Sequence, residues 1–350
     1  MQPPGGNRAA SGQRSGSNAK FTAPRRAGGN DPARDFRAAV LAALGFAPDA
    51  AALEPGRLVR FATRDRRGNF DGWARLFADG RGGSYGCWRS GLTAHWQADR
   101  AQPLTRAERQ ELARQITQAR AAAERAQSAE WAAAAARNAL LWAQAVPLTP
   151  GDPVSRYLVA RGLEPLLPTP AALRFHPRLA YRDDDGEVSR HPAMVAALTA
   201  PSGAMVALHR TYLSREGTKA DVATPRKLTP PSGPLTGACI ALAAPRRGLL
   251  GVAEGIETAL AATQATGVPT AATYCAGNLA AWQWPLGVRA LAIFADNDDA
   301  GREAAKALQA RALRAGLRCE VLLPAEVGAD WLDCWSQRGA VEITGGPSCA

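Results

Sequence analysis

The chain has no CxxC pair. Its six cysteines, Cys87, Cys239, Cys275, Cys319, Cys334 and Cys349, are scattered. That pattern suits reduced, mostly buried thiols and speaks against a disulfide framework or a zinc ribbon. Cys87 with His95 offers two ligands, too few to close a four-coordinate zinc site. No stretch is long and apolar enough to span a bilayer, so no membrane role is expected. Residues 1–30 lack the short apolar core of a signal peptide and are rich in Gly, Ser, Asn and Arg. Residues 1–33 read as a disordered basic tail, and the protein is expected in the cytoplasm. No Walker A sequence occurs, which argues against a P-loop ATPase. Lysine is scarce, with 4 against 38 arginines. Genome composition alone can produce that bias, so charge is only a modest argument by itself.

The net charge is nevertheless +11, and it is unevenly spread. Residues 1–150 hold 22 Lys/Arg against 12 Asp/Glu, whereas residues 151–350 hold 20 against 19. A basic first part can attract a polyanion such as nucleic acid. At 350 residues with 46% apolar content, the chain can build two or three domains and at least one sizeable core.

Five segments follow the tail. Residues 34–100 begin with a short helix over Asp35–Leu44. Strands over Arg57–Thr63, Asp71–Phe77 and Gly83–Trp88 follow, broken by Gly- and Asp-containing turns. This small β-rich module carries Trp73, Trp88 and Trp96 among Arg60, Arg64, Arg66, Arg67, Arg75, Arg81 and Arg89. Such rings can stack on single-stranded bases, but in so small a module they serve first as core. Residues 101–147 are a helical connector, one long helix or a hairpin, opened by a Thr105/Glu108 capping box and stopped by Pro147. Residues 148–246 start with a helix capped by Asp152, with Pro153 in its first position, ending at Gly162. Strands and turns then alternate, the clearest strand lying within Gly203–Leu213.

Residues 247–338 carry the sharpest pattern, ahead of a tail at 339–350. Strands over Leu249–Ala253, Pro269–Tyr274, Arg289–Ala295 and Leu317–Leu323 alternate with helices over Ile256–Thr266, near Leu279–Trp284 and over Ala300–Ala315. Alternation of this kind predicts an α/β domain with a parallel sheet and right-handed crossovers. Sites in such sheets form at the carboxyl ends of the strands. Glu254 follows the first strand directly, and Asp296-Asn297-Asp298-Asp299 follows the third. Residues i and i+2 of extended backbone point the same way, so Asp296 and Asp298 can aim two carboxylates at one point. Hard oxygen ligands in that number suit Mg²⁺ or Mn²⁺. Gly255 and Gly301 allow close backbone approach. Glu257 and Asp299 read as first-turn residues that favour the helix dipole.

The run Ala253-Glu254-Gly255-Ile256-Glu257-Thr258-Ala259-Leu260, followed by Ile293-Phe294-Ala295-Asp296-Asn297-Asp298-Asp299-Ala300-Gly301-Arg302, resembles the Toprim domain. In particular it resembles the primase-like Toprim proteins of plasmids, prophages and integrative elements. Gly328-Ala-Asp-Trp-Leu-Asp333 is similar to the tail of such proteins, where another acidic pair follows the last strand. The resemblance implies a fold of four parallel strands flanked by helices. It also implies that an α+β primase-like subdomain precedes this domain. Upstream, Gly203–Arg210, Lys219 and Arg226-Lys227 are similar to the segment before Toprim in bacterial replicative primases. Carried over, Arg210, Lys219, Arg226 and Lys227 become candidate contacts to nucleoside triphosphate and template.

The implied activity is primer synthesis on single-stranded DNA for replication of a mobile element, with Asp296 and Asp298 holding Mg²⁺. Glu254 would bind a second metal or move a proton. Unwinding would fall to a replicative helicase acting in trans. Two alternatives stand beside it: a Toprim-type nuclease using the same acids, and a non-catalytic DNA-binding accessory that loads a helicase. A topoisomerase would need a nucleophilic tyrosine, and none of the five tyrosines has a recognisable nucleophile context.

The charge distribution carries an expectation of its own. DNA affinity should fall steeply with salt, and deleting residues 1–100 should weaken it in an anisotropy titration. Unchanged affinity after the deletion would refute a binding role for the basic first part.

Overall fold

The structure, a computed structural model, describes residues 31–63, 70–88, 92–98, 105–165 and 168–337. The basic tail expected over residues 1–33 therefore lies almost wholly outside the described residues, as do Arg64, Arg66, Arg67 and Arg89. The chain divides into two compact units, Met1–Glu124 and Arg125–Ala350, and the division falls inside one long helix.

In the first unit, helix α1 (Pro32–Leu44) begins where the Asp31 side chain accepts from the Ala33 and Arg34 N–H groups, and ends at Gly45 in the left-handed region. Strands β1 (Leu58–Phe61), β2 (Gly72–Leu76), β3 (Gly82–Cys87) and β4 (Leu92–Gln97) form an antiparallel meander. Phe36 and Val40 of α1 close its core with Leu53, Phe61, Leu76 and Tyr85. Strand β4 is not evident in the sequence. Its six residues alternate apolar and polar, Leu92, Ala94 and Trp96 against Thr93, His95 and Gln97, but the run is short and none of it is fully buried. Trp73 is buried in the module, and Arg60 lies over the Trp88 ring at 4.2 Å. The register sets Cys87 opposite Leu92 and His95 opposite Ser84. His95 Nδ1 is 2.9 Å from the Ser84 hydroxyl, so the two zinc-capable residues serve separate neighbours.

Helix α2 (Arg106–Gln144) is a single helix. Its start carries the expected capping box: the Thr105 N–H donates to Glu108, and the Glu108 N–H donates to the Thr105 hydroxyl. In the second unit its last turns meet a five-stranded antiparallel sheet. The strands are β5 (Val146–Pro147), β6 (Leu173–Arg182), β7 (Val188–Thr199), β8 (Met205–Tyr212) and β9 (Arg226–Leu228), in that order. One face of this sheet, with Leu179, Tyr181, Val195, Leu208 and Tyr212, packs on Leu141 and Trp142 of α2. The other face packs on helix α3 (Pro153–Ala160).

The parallel sheet comprises β10 (Leu249–Ala253), β11 (Thr270–Ala272), β12 (Ala290–Phe294) and β13 (Arg318–Leu322). Its order is β11-β10-β12-β13, with every pair parallel. Helices α4 (Ile256–Thr266), α5 (Ala276–Ala281) and α6 (Asp299–Arg314) make the crossovers, and α7 (Trp331–Ser336) follows β13. The expected α/β architecture is thus present, with α7 added. Helix α4 is buried continuously from Ile256 to Ala262, because its apolar core is shared with α3 and the antiparallel sheet. Bridges Thr199↔Cys239 and Ile240↔Ala272 join the two sheets through one short segment. At Gly251 an added Cβ would lie 2.4 Å from the Thr270 hydroxyl, so neighbouring strands can close only over a bare Cα.

Phe294, fully buried at the end of β12, meets Trp331 of α7 edge-on at 5.1 Å. Phe294→Ala should destabilise the second unit by about 3–5 kcal/mol. A chemical denaturation midpoint that does not move would contradict this account of how α7 is anchored.

Candidate metal and nucleotide site

The carboxyl ends of β10 and β12 open into a cavity of about 200 Å³. Its lining divides by charge. Glu254, Asp296 and Asp330 form one group, and Arg161, Lys219 and Arg226 form another with the carboxylate of Glu257; His209 and Tyr274 complete the lining. Glu254 and Asp296 arrive here because their strands are paired in register, Ala253 beside Phe294. Asp330 arrives because it caps α7 in a reciprocal pair with Asp333. Asp330 and Asp333 form the acidic pair after the last strand, and only Asp330 lines the cavity.

The acids destabilise one another. Burial pushes the Asp296 carboxyl up to about 7, and repulsion from Glu254, Asp330, Asp298 and Asp333 adds to it. Its Oδ1 is buried without a hydrogen-bond partner. Burial also raises Glu254, with repulsion from Asp298 adding to it and the Ala276 N–H partly offsetting it. Half-buried like charges with one orphaned, buried oxygen are an incomplete arrangement that a cation would complete.

Asp298 is placed differently. Its Oδ1 accepts from the Gly301 N–H at 2.7 Å as the N-cap of α6, and the residue is exposed and does not line the cavity. Its charge is nonetheless felt at both Glu254 and Asp296. At Gly301 an added Cβ would lie 2.4 Å from the Asp296 carbonyl oxygen, so this glycine permits the turn that carries both aspartates. Asp299 pairs with Arg302 at 2.5 Å and is fully exposed, as a first-turn residue should be.

Among the described residues, no three His, Cys, Asp or Glu side chains are gathered tightly enough to hold a metal unaided. This fits a particular kind of site. Mg²⁺ keeps several waters and is commonly held by one or two carboxylates plus substrate phosphates rather than by an all-protein cage. Glu254 and Asp296 are the two cavity carboxylates that could serve in this way, and the Asp296 Oδ1 is an acceptor without a donor in the protein.

The basic side contains one residue whose role is hidden in the sequence. Glu257 is buried, not a solvated first-turn acid. It accepts from the Arg226 guanidinium and from the Tyr157 hydroxyl, each at 2.7 Å. Burial opposes its ionisation, but Arg226 and Tyr157 outweigh burial and hold its carboxyl below the ordinary value. The pair therefore fixes Arg226 at the cavity. Partial desolvation and the charges of Arg226 and Arg161 lower Lys219. Burial holds His209 neutral, at about 4, and its Nδ1 has no partner.

Of the four predicted phosphate contacts, Lys219 and Arg226 line the cavity and Arg210 and Lys227 do not. The reason is strand alternation: Arg210 pairs with Lys227 in register, while Thr211 pairs with Arg226. Arg210 and Lys227 face the α2 side. There Arg210 donates to the Tyr212 hydroxyl and the Leu228 carbonyl, and Lys227 donates to the Arg182 carbonyl above the Tyr181 ring. His209, next to Arg210, takes the cavity side instead. Tyr274 adopts φ 62, a conformation that costs a β-carbon residue roughly 1–3 kcal/mol. Its N–H donates to the Glu254 carbonyl at 2.8 Å, which ties the strained residue to the acid.

Comparison with known proteins gives two family matches. Residues 249–341 match the Toprim domain, and residues 130–240 match a domain of unknown function, DUF7146. No protein of curated function matches the chain. Among solved structures, the chain is similar to a DNA primase domain from Pseudomonas aeruginosa, at 18% identity and a TM-score of 0.31 over 44% of this chain. It spans 51% of that protein's length. It is similar to a DnaG primase catalytic domain solved with single-stranded DNA, at 16% identity and a TM-score of 0.41, over 61% of this chain and 78% of that one. It is also similar to the zinc-binding and RNA polymerase domains of the Aquifex aeolicus primase, at 12% identity and a TM-score of 0.39, over 89% and 83%.

Because Asp296 is raised to about 7 in the folded chain, the stability linked to its proton is full below the unfolded aspartate range. It is lost as pH rises through about 7. Asp296→Asn should therefore raise stability at pH 8 by on the order of 2 kcal/mol and change it little at pH 4. Thermal melts at the two pH values decide the matter; a variant less stable than wild type at pH 8 would show that Asp296 is not held against its neighbours.

Proposed function

We propose that the chain, whose residues 249–341 match the Toprim domain, is a primase-like nucleotidyltransferase acting on single-stranded DNA. The observation that carries the reading is the divided cavity, with carboxylates at the strand ends facing guanidinium and ammonium groups across a small polar space. Nucleoside triphosphate chemistry needs both signs of charge: cations to hold phosphates, and acids to place a divalent ion against them.

In the proposed reaction, Lys219 and Arg161 hold the phosphates of the incoming nucleotide. Arg226, fixed by Glu257 and Tyr157, adds a positioned guanidinium fork. Glu254 and Asp296 would hold Mg²⁺ or Mn²⁺, which would neutralise phosphate charge and make the attacking hydroxyl more acidic. The 3′-oxygen of the growing strand bonds to the α-phosphorus as the bond to the β-phosphate oxygen breaks and pyrophosphate leaves. The hydroxyl proton would leave to solvent where Glu254 holds the metal, and would pass to Glu254, raised by burial and by Asp298, where Asp296 alone holds it. Asp298 positions the loop that carries Asp296 through its cap on α6 and contributes charge rather than a cavity contact. Arg210 and Lys227, on the other sheet face, stay outside the nucleotide pocket and remain candidates for template contact. A replicative helicase acting in trans completes the proposal.

The assay is primer synthesis on single-stranded DNA with labelled nucleotides and Mg²⁺ or Mn²⁺. Asp296→Asn and Glu254→Gln should each lower product by about 10²-fold or more, the loss typical of one electrostatic group. Arg226→Lys should fall by less but measurably, since it keeps charge and loses the fork. Shortened input DNA in place of new product would move the assignment to a nuclease.

A further inference from the structure

The opposite end of the parallel sheet carries a second charged feature. Three adjacent strands each begin beside an arginine: Arg247 before β10, Arg289 before β12, and Arg318 at the start of β13. All three are exposed. They line one open cavity of about 590 Å³ whose lining holds no carboxylate. None is ion-paired among the described residues. Backbone hydrogen bonds fix the row, with the Arg289 N–H donating to the Gly248 carbonyl and the Arg318 N–H donating to the Arg289 carbonyl. Arg318 stands opposite Ala290, which stands opposite Leu249, so Arg289 and Arg247 lie one and two residues further out and the three cations form a staggered row at the sheet end.

Arg247 is held there at a conformational cost. Residues Arg246 and Leu249 close a two-residue turn through reciprocal backbone hydrogen bonds, with Arg247 at φ 52 and Gly248 at φ 81. Turns with both central residues at positive φ favour Asn-Gly or Asp-Gly. An arginine at the first central place gives up that preference and presents its guanidinium at the tip.

We propose that this row binds the phosphodiester backbone of a nucleic-acid strand, as a track separate from the carboxylate cavity and roughly 17 Å from it along the five-residue strands. The inference rests on the proposed nucleotidyltransferase reading for its choice of a nucleic acid over an acidic protein segment. Guanidinium forks match phosphate oxygens two at a time, and a row of them tracks a backbone without reading bases.

The test is fluorescence anisotropy of the full chain with labelled oligothymidine, at NaCl from about 50 to 200 mM. Arg247→Asn/Arg289→Ala/Arg318→Ala should bind a strand of about 30 nucleotides at least tenfold more weakly. Its slope of log affinity against log salt should be shallower by about 2, near 0.7 for each phosphate that is no longer neutralised. Strands of about 4 nucleotides, too short to reach both places, should bind the variant as wild type does. Arg247→Asn alone should melt no lower than wild type, because it installs the residue the turn prefers, and should weaken long-strand binding by itself; this keeps the test valid if the triple variant folds poorly. Wild-type affinity and slope in both variants would overturn the track while leaving primer synthesis standing. Binding of polyglutamate at the row, with no loss of DNA affinity in the variants, would overturn it in favour of an acidic protein. A wild-type chain that neither binds DNA nor makes primers would remove both readings together.

Discussion

Two carboxylates set at the ends of neighbouring parallel strands repel each other, and the second unit is organised around that repulsion. Glu254 and Asp296 cannot separate, because β10 and β12 are locked in register beneath them. Asp330 and Asp298 add to the strain on Asp296, and its buried Oδ1 finds no donor within the protein. A fold that needed only stability would place an apolar or amide side chain there. The surrounding structure keeps the cluster together: Gly301 lets the aspartate turn close against α6, Asp298 caps that helix, and Phe294 and Trp331 hold α7 and its Asp330 in place.

The opposite side of the cavity solves the complementary problem. Arg226 sits on a short strand, where a long side chain would ordinarily wander. Glu257, buried on α4, and Tyr157 on α3 fix it. The ion pair thus links the antiparallel sheet to the helix that starts just after Glu254. Truncating Glu257 would free Arg226, and truncating Arg226 would strand a buried carboxylate. Neither residue is independent of the fold, which is why the charge division is rigid rather than a property of mobile surface side chains.

Much of this was legible in the sequence. Helix α4 was readable at both ends, because Gly255 and Gly267 bracket an apolar run. The four parallel strands stood out as short apolar runs, two of them followed by the acids of the site, although β13 is only partly buried. The small first unit was harder, since β4 is a short run whose inward face is only Ala94 and Trp96, both partly exposed. Strand parity misplaced part of the site: Arg226 and Lys227 are adjacent, so one must face away, and the sequence does not say which. The same parity hides His209 behind Arg210. Glu257 is the first-turn acid of α4 that the sequence suggests, but its burial and ion pair were hidden because Arg226 lies 31 residues earlier, on the antiparallel sheet. Asp298 satisfied the i, i+2 rule on paper, but the helix begins immediately after it and takes one carboxylate oxygen for its cap.

The central claim is that this cluster is a divalent-cation site rather than a strained relic of packing. A calorimetric titration with Mn²⁺, run near pH 6 in two buffers of different ionisation enthalpy, tests it most directly. Saturable binding that releases protons is expected, because Asp296 is raised to about 7, with both the binding and the release lost in Asp296→Asn. Absence of saturable binding, or binding that Asp296→Asn leaves intact, would contradict it.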